Sequence, residues 1–443
     1  MHITCRIPIS WACLVHNLPC SHQCMYIFSS PFLISPHSQI MIRPIEHMKH
    51  QVTQLSKNPL LHLEKMKKQG KQVTSETDML EVAIHKMGQL LQIGFGTAGA
   101  EIIAKSLSDG GELDPMVPGQ KVNAIFAFCD IRDFTFATEA LQADVMIFVN
   151  KVAKITHSHV VASGGSPNKN IGDAFLFVWK LSITKNGGRS RLQKELFDKA
   201  LASVQSILTE ISELDNLSNF LGDETDSKAS WKSTLEHFQV RVGFGLHTGW
   251  AIEGSIGSKV KIDASYLSPH VNLASRLESA TKQYRVPLLM SEAFVSNLTG
   301  SMQKRTRKVD RVTFKGSSEP MTIYHYDDRP YDVLATTTKP SDYPELIEAT
   351  SWADGSEIRR AGVDVTEVTN AFDSGMSLCV REVYEDLFNS FLDGKWNRCK
   401  ILSRLWMERF PGDVLVHNIV EYLRQHSFEC PADWAGYHAL TEK

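Results

Sequence analysis

Two strongly apolar segments, each flanked by an aspartate, place the tightest constraint on how this chain can fold. The first runs from Val122 to Cys129 and is followed by Asp130, and the second begins at Ala174, directly after Asp173. Apolar runs of this length between polar residues predict buried β-strands. If the strands pair, both carboxylates are held on rigid backbone. Paired carboxylates on adjacent strands can hold the metal ions of a phosphoryl-transfer site, whereas a lone aspartate at a strand end usually has no such role.

The overall composition is that of a soluble globular protein. Of the 443 residues, 42% are hydrophobic and 22% are charged, and the length allows up to three domains. The formal net charge of -3 argues against nucleic acid as a partner, because a nucleic-acid surface needs a basic excess. Apolar runs are interrupted too often for a membrane span.

The spacing of apolar residues divides the chain into five parts. An α/β or α+β arrangement with a central sheet is predicted for the third part, where strands and helices alternate. A helix with one apolar face is predicted for the second part. The parts are a poorly ordered leader of unassigned role (1–75), a helical segment (76–116), the sheet domain (117–328), a linker (329–378) and a helical C-terminal tail (379–443).

A helix late in the sheet domain carries two polar residues at a meaningful spacing. Ser268 is a typical N-cap and Pro269 suits the first turn, so a helix should begin there. Asn272 and Arg276 are four residues apart and therefore share one face of that helix.

Four motifs within residues 117–328 together resemble those of the class III nucleotidyl cyclases. They are the strand that ends in Asp130, the Lys-x-Ile-Gly-Asp hairpin that ends in Asp173, the Gly-Leu-His-Thr-Gly strand that ends at Gly249, and the helix motif Val-Asn-Leu-Ala-Ser-Arg-Leu-Glu. The resemblance implies a ferredoxin-like or palm-type α+β sheet with flanking helices. It also implies an N-terminal signalling helix, and we expect an all-α C-terminal tail after the domain.

The resemblance further implies a two-metal site. Asp130, Asp173 and the backbone carbonyl of Ile131 would hold two Mg²⁺ or Mn²⁺ ions per site. One ion would activate the ribose 3′-hydroxyl of the nucleotide, and the other would hold the triphosphate. The position of Asp133 is often glycine in this family, so a local adjustment of the backbone is expected there.

Three further residues match the family's substrate contacts. Arg276 would stabilise charge on the α-phosphoryl group in the transition state, because a guanidinium suits phosphate oxygens. Asn272 would orient the ribose. Lys315, which matches more loosely, would contact the triphosphate.

Two residues correspond to the family's base-reading positions. Lys169 can only donate a hydrogen bond, so it suits adenine N1, whereas guanine N1–H would require an acceptor such as glutamate. Ser265 can accept from the adenine amino group but could also donate to guanine O6. The predicted substrate is therefore ATP, with GTP as the alternative.

Residues of both halves of the family's site are present in this single domain. The resemblance thus implies a head-to-tail homodimer with two sites across its interface. A cytoplasmic catalytic domain is expected, with a possible upstream sensor or membrane domain, and hence membrane association, through segments outside this chain. The rival interpretation is a catalytically silent cyclase-homology scaffold. A diguanylate cyclase is disfavoured, because its Gly-Gly-Asp/Glu-Glu-Phe signature is absent from the sequence.

Overall fold

The computed structural model describes most of the chain from residue 118 onward. The predicted leader and nearly all of the predicted N-terminal helical segment lie outside the described residues. The chain divides into two compact units, Met1–Gln89 and Leu90–Lys443, and every element below belongs to the second. The described residues are 86, 87, 90, 94, 118–181, 191–214, 238–258, 261–315, 319–327, 355–374 and 377–440.

The first half of the sheet domain is a βαββαβ unit. Its strand order is β2-β3-β1-β4, and β1 runs antiparallel to both β3 and β4. This is the ferredoxin-like arrangement, which confirms the predicted fold class. The elements are β1 (Gln120–Ile131), α1 (Phe134–Leu141), α2 (Val145–Ala162), β2 (Ser166–Ile171), β3 (Ala174–Lys180), α3 (Arg191–Ser212) and β4 (Val242–Gly257).

The second half extends the sheet beyond β4. The strand order continues β4-β6-β8-β7-β9, and β5 pairs with the far end of β4 outside this path. The elements are β5 (Ile262–Leu267), α4 (Pro269–Tyr284), β6 (Leu288–Ser291), α5 (Glu292–Val295), α6 (Gly300–Gln303), β7 (Thr306–Phe314) and β8 (Met321–Tyr326).

The C-terminal region corrects two predictions. Two helices occupy the described part of the predicted linker, because Phe372 is buried edge-on against Trp406 and the Asp364 carboxylate caps the second of them. The tail is not all-α, since its last strand pairs parallel with β7 and covers an edge that would otherwise be unpaired. The elements are α7 (Gly355–Arg360), α8 (Val365–Asp373), α9 (Ser377–Leu392), α10 (Trp396–Arg409), α11 (Val414–Gln425) and β9 (His438–Leu440).

Strand β1 is apolar throughout its centre because it is covered on both faces. Ile125 and Ala127 pack into the core beneath α2 and α3, whereas Ala124 and Phe126 pack into the core beneath α4. All four are fully buried. A strand buried on both faces has no polar alternation, which explains the continuous apolar run before Asp130.

Helix α4 lies unusually close to β4 because of two glycines in that strand. A Cβ at Gly245 would overlap the backbone of α4 at Ala274 and Glu278, and a Cβ at Gly249 would overlap the ring of His270. Only glycine leaves room for this approach. The helix that carries Asn272 and Arg276 is thereby seated directly on the sheet.

A buried ion-pair cluster joins the C-terminal helices to the sheet. Arg307 on β7 lies 3.0 Å from Asp327 and 2.7 Å from Asp413, the residue that caps α11. The Asp413 carboxylate also accepts a hydrogen bond from the Trp406 indole at 2.9 Å. Since these groups are buried, each depends on the others for compensation of its charge.

Asp413→Ala is expected to destabilise the protein by about 3–5 kcal/mol, because it leaves the Arg307 guanidinium buried with one partner fewer. Urea unfolding followed by tryptophan fluorescence measures this loss. The matched control is Asp393→Ala, which breaks an exposed pair with Lys395 and should cost less than about 1 kcal/mol. Equal losses for the two variants would contradict the buried role of Asp413.

Candidate active site

The two predicted metal aspartates meet at the end of β1. Asp130 is in register with Ala174 of β3, and Asp173 occupies the turn just before it. The backbone N–H of Ile131 donates to the carbonyl of Asp173 at 3.2 Å. The pairing of β1 with the β2–β3 hairpin therefore brings both carboxylates and the neighbouring Ile131 backbone to one corner of the sheet.

The carboxylates at this corner carry more negative charge than the neighbouring cationic side chains neutralise. Desolvation and the adjacent negative charge of Asp130 raise the pKa of Asp173 above its usual value. Two cationic side chains are drawn to Asp130: Lys282 Nζ lies 3.0 Å and Arg132 Nη1 3.6 Å from its Oδ2 atom. The oxygens of two adjacent carboxylates are a donor set that suits a hard divalent ion such as Mg²⁺ or Mn²⁺.

A buried ion pair connects this corner to helix α4, and the sequence analysis missed it. Arg132 Nη2 lies 2.9 Å from the Glu278 carboxylate and also donates to the hydroxyl of Thr281. Burial raises the pKa of Glu278 to about 7, although the Arg132 charge opposes that shift. Glu278 ends the motif that contains Arg276, but nothing in the sequence pairs it with Arg132.

The Glu278 carboxyl should make stability depend on pH. Its pKa in the folded protein, about 7, exceeds its ordinary value of 4.5. The native state therefore keeps a proton that the unfolded chain has released, and stability falls as the pH rises between these values. In the Glu278→Gln variant this fall should be absent.

Melting temperatures of the metal-free protein between pH 5 and 8 test this expectation. The wild type should lose stability relative to Glu278→Gln as the pH rises. Glu195→Gln, at an exposed pair on α3, should retain the wild-type slope. Parallel curves for all three proteins would contradict the perturbed titration of Glu278.

Helix α4 begins as predicted and presents its two candidate residues outward. The Ser268 hydroxyl accepts from the backbone N–H of His270 at 3.0 Å. The His270 ring is hydrogen-bonded to the buried His247 of β4 at 2.8 Å, which fixes the first turn on the sheet. Asn272 is exposed and Arg276 is partly buried. Both side chains can therefore be reached by a ligand from the surface of the chain.

Arg276 stands apart from the aspartates of its own chain. Its guanidinium donates to the backbone carbonyl of Lys315 and so lies beside the other predicted phosphate contact. Arg276 and Lys282, the residue that reaches Asp130, are separated by about 9 Å along the helix axis. Within the described ranges, Arg276 makes no ion pair with Asp130 or Asp173. The structure thus divides the predicted residues into two groups. Asp130 and Asp173 form the aspartate group, and Asn272 and Arg276 form the α4 group.

The predicted base-reading residues lie on neighbouring elements. Lys169 on β2 pairs with Leu176 of β3, and Ser265 on β5 pairs with Gly254 of β4. Strand β2 lies against β5. Two strand spacings, about 10 Å, separate β2 from β1, which carries Asp130. Lys169 therefore belongs to a region distinct from the aspartate corner.

Asp133 shows the local adjustment that the sequence indicates. Its φ of 55° is in the left-handed region, where glycine is favoured. Its carboxylate is exposed and lies 3.0 Å from Arg241, with which it forms a surface ion pair. The aspartate at a position often occupied by glycine is thus accommodated by backbone conformation.

Two family models match the chain. Residues 117–327 match the adenylate and guanylate cyclase catalytic domain. Residues 18–108 match a model described as the RasGEFs all-helical domain, and that region lies almost entirely outside the described residues.

Two curated relatives and one solved structure illustrate the similarity. An adenylate cyclase of Anabaena cylindrica is 29% identical over 200 residues, which cover 44% of this chain and 35% of the relative. The terminal-differentiation-specific adenylate cyclase of Dictyostelium discoideum is 31% identical over 203 residues, covering 45% and 8%, respectively. A bacterial light-regulated adenylyl cyclase structure is 22% identical with a TM-score of 0.42, covering 59% of this chain and 67% of that one.

The match to the cyclase catalytic-domain model covers residues 117–327. The chain spans about a third or less of the length of these two curated relatives. None of the described helices combines the length and apolar character needed to cross a membrane. Residues 117–327 are a domain of the adenylate and guanylate cyclase catalytic-domain family.

Proposed function

We propose that the protein is an adenylate cyclase that converts ATP to 3′,5′-cyclic AMP and pyrophosphate. The proposal rests on one observation about the site. Asp130 and Asp173 lie together at the end of β1, and Asn272 and Arg276 lie on one face of α4. In the reaction the ribose 3′-oxygen bonds to the α-phosphorus, and the bond to the pyrophosphate oxygen breaks. The proton of the hydroxyl is lost as the bond forms.

The residues have separate tasks in this reaction. Asp130, Asp173 and the Ile131 carbonyl would hold two Mg²⁺ or Mn²⁺ ions, which supply Lewis-acid chemistry to the hydroxyl and the triphosphate. Arg276 places a fixed positive charge beside the α-phosphoryl oxygens, where negative charge shifts in the transition state. Asn272, four residues earlier on the same face, holds the ribose.

The separation of the two residue groups supports a head-to-tail homodimer. Among the described residues Arg276 makes no ion pair with the aspartates of its own chain, which fits a second copy that supplies one of the two groups to each site. Exposed apolar side chains on β2, β4 and β5 support an interface on this part of the sheet, because exposed apolar surface often marks contacts between proteins. They are Ile171, Trp250, Ile256 and Leu267.

ATP is the proposed substrate because Lys169 can only donate, which suits adenine N1. Ser265 leaves GTP as the alternative, since its hydroxyl could donate to guanine O6. A catalytically silent scaffold is disfavoured, because both aspartates and Arg276 are present.

The full chain, assayed with Mn²⁺ and either nucleotide, should form cyclic AMP at least about tenfold faster than cyclic GMP, since mismatched hydrogen bonding at the base is costly. Lys169→Glu should lower the rate with ATP more than the rate with GTP. Equal or faster use of GTP would identify a guanylate cyclase. Inactivity with both nucleotides at dimer-forming concentrations would favour the scaffold.

A further inference from the structure

We propose that the C-terminal helices position the catalytic helix α4, so that they act on the active site to which α4 contributes. Their effect on the site that uses the same chain's aspartates should be smaller, because α4 touches that site only through the exposed Lys282 side chain and the Arg132–Glu278 pair. This inference rests on the proposed function, because it needs the two residue groups to serve different sites. Asn418 of α11 is the positioning residue at the centre of the contact.

Helix α4 is covered on the side away from β4 by the C-terminal region. Leu277, Ala280 and Tyr284 of α4 share one hydrophobic core with residues of α11 such as Val416 and Val420. Helix α11 lies directly against α4. The catalytic helix is therefore held between the sheet on one side and α11 on the other, and neither surface alone defines its position.

The last residue of α4 is hydrogen-bonded to two elements, α11 and β7, and a third, β9, contacts its partner on β7. The Asn418 amide donates to the backbone carbonyl of Tyr284 at 2.8 Å. The Tyr284 hydroxyl donates to Asp310 of β7 at 2.5 Å, and the same carboxylate lies 2.6 Å from the ring of His438 in β9. Carbonyls in the last turn of a helix have no partner within it, so Asn418 supplies one from the C-terminal region.

These contacts can be transmitted to the site because α4 is a continuous helix. Arg276 lies about 12 Å along the axis from Tyr284, and a rigid rod moves as a whole when one end shifts. The first turn is fixed by His270 and the middle by Glu278. The grip on Tyr284 is the third anchor. Displacement of a catalytic group by about 1 Å can cost about a hundredfold in rate.

An experiment on a heterodimer with one working site can distinguish positioning of α4 from general stabilisation of the fold. Differently tagged Asp173→Ala and Arg276→Ala chains are co-purified as heterodimers. The working site takes its aspartates from the Arg276→Ala chain and its α4 from the Asp173→Ala chain. Asn418→Ala is then placed on one chain or the other, and kcat and the KM for Mn²⁺-ATP are measured.

On the chain that supplies α4, Asn418→Ala should lower kcat by about tenfold, with a smaller change in KM. On the chain that supplies the aspartates, the loss of kcat should be at most about threefold, because α4 reaches that site only through Lys282 and Glu278. His438→Ala, which loosens the other side of Tyr284, should show the same dependence on placement. Asn389→Ala, at an exposed position on α9, should have no effect in either chain.

Equal losses for both placements would overturn the inference, because the C-terminal region would then only stabilise the fold. The absence of a loss in either placement would overturn it as well. An inactive parental pair beside an active wild type would overturn the shared-site arrangement of the proposed function, and this inference with it. The failures of the two proposals are therefore distinguishable.

Discussion

Asp173→Ala should lower cyclase turnover by at least about a thousandfold, because loss of a carboxylate ligand removes several kcal/mol of transition-state stabilisation. The fold should survive. Since burial and Asp130 raise the pKa of Asp173, its ionised form is disfavoured in the native state. That penalty is present at neutral pH and vanishes below the ordinary carboxyl pKa. The metal-free variant should therefore melt at or above the wild-type temperature at neutral pH.

Thermal melting with and without Mn²⁺ gives a readout independent of activity. The wild-type melting temperature should rise with Mn²⁺, because a ligand that binds the native state stabilises it. The rise should be lost in Asp173→Ala. Asp263→Ala, at an exposed pair with Lys261, should preserve both the rise and the turnover. Substantial turnover in Asp173→Ala would show that the Asp130–Asp173 pair is not the metal site.

The parts of the fold that the sequence predicted are those with a local signal. The continuous apolar run before Asp130 follows from a strand covered on both faces. Ser268 and Pro269 mark the start of α4 because caps depend on only a few neighbouring residues. The adjacency of Asp130 and Asp173 needed only that two apolar strands pair.

The missed features depend on contacts between distant segments. Arg132 and Glu278 form a pair only because α4 is seated on the glycines of β4. Arg307 and Asp413 are brought together by docking of the C-terminal helices. The helices at 355–373 occur where the sequence indicated a linker, because burial against α10 outweighs weak local periodicity. None of these contacts has a periodic pattern that a single sequence reveals.

The division of the site between two chains makes a stronger prediction than any single loss of activity. Asp173→Ala and Arg276→Ala homodimers should each be inactive, because every site in them lacks one group. After subunits mix at random, half of the dimers are heterodimers, and each has one intact site. Mixing should therefore restore about a quarter of the wild-type turnover. Asp173 is preferable to Asp130 as the partner variant, because Asp130 also contacts Lys282 on α4.

The measurement is cyclic AMP formation after equal amounts of the two variants are incubated together above the dimer dissociation concentration. The control mixture pairs Asp173→Ala with Asp130→Ala. It should stay inactive, because both losses fall on the same residue group and no reassortment yields an intact site. Recovery in that control would mean that Asp130 and Asp173 serve different sites. No recovery in the Asp173 and Arg276 mixture would mean that each site belongs to one chain. Arg276 would then have to reach its own aspartates from a position about 9 Å before Lys282, on a helix that is seated against Gly245 of the sheet.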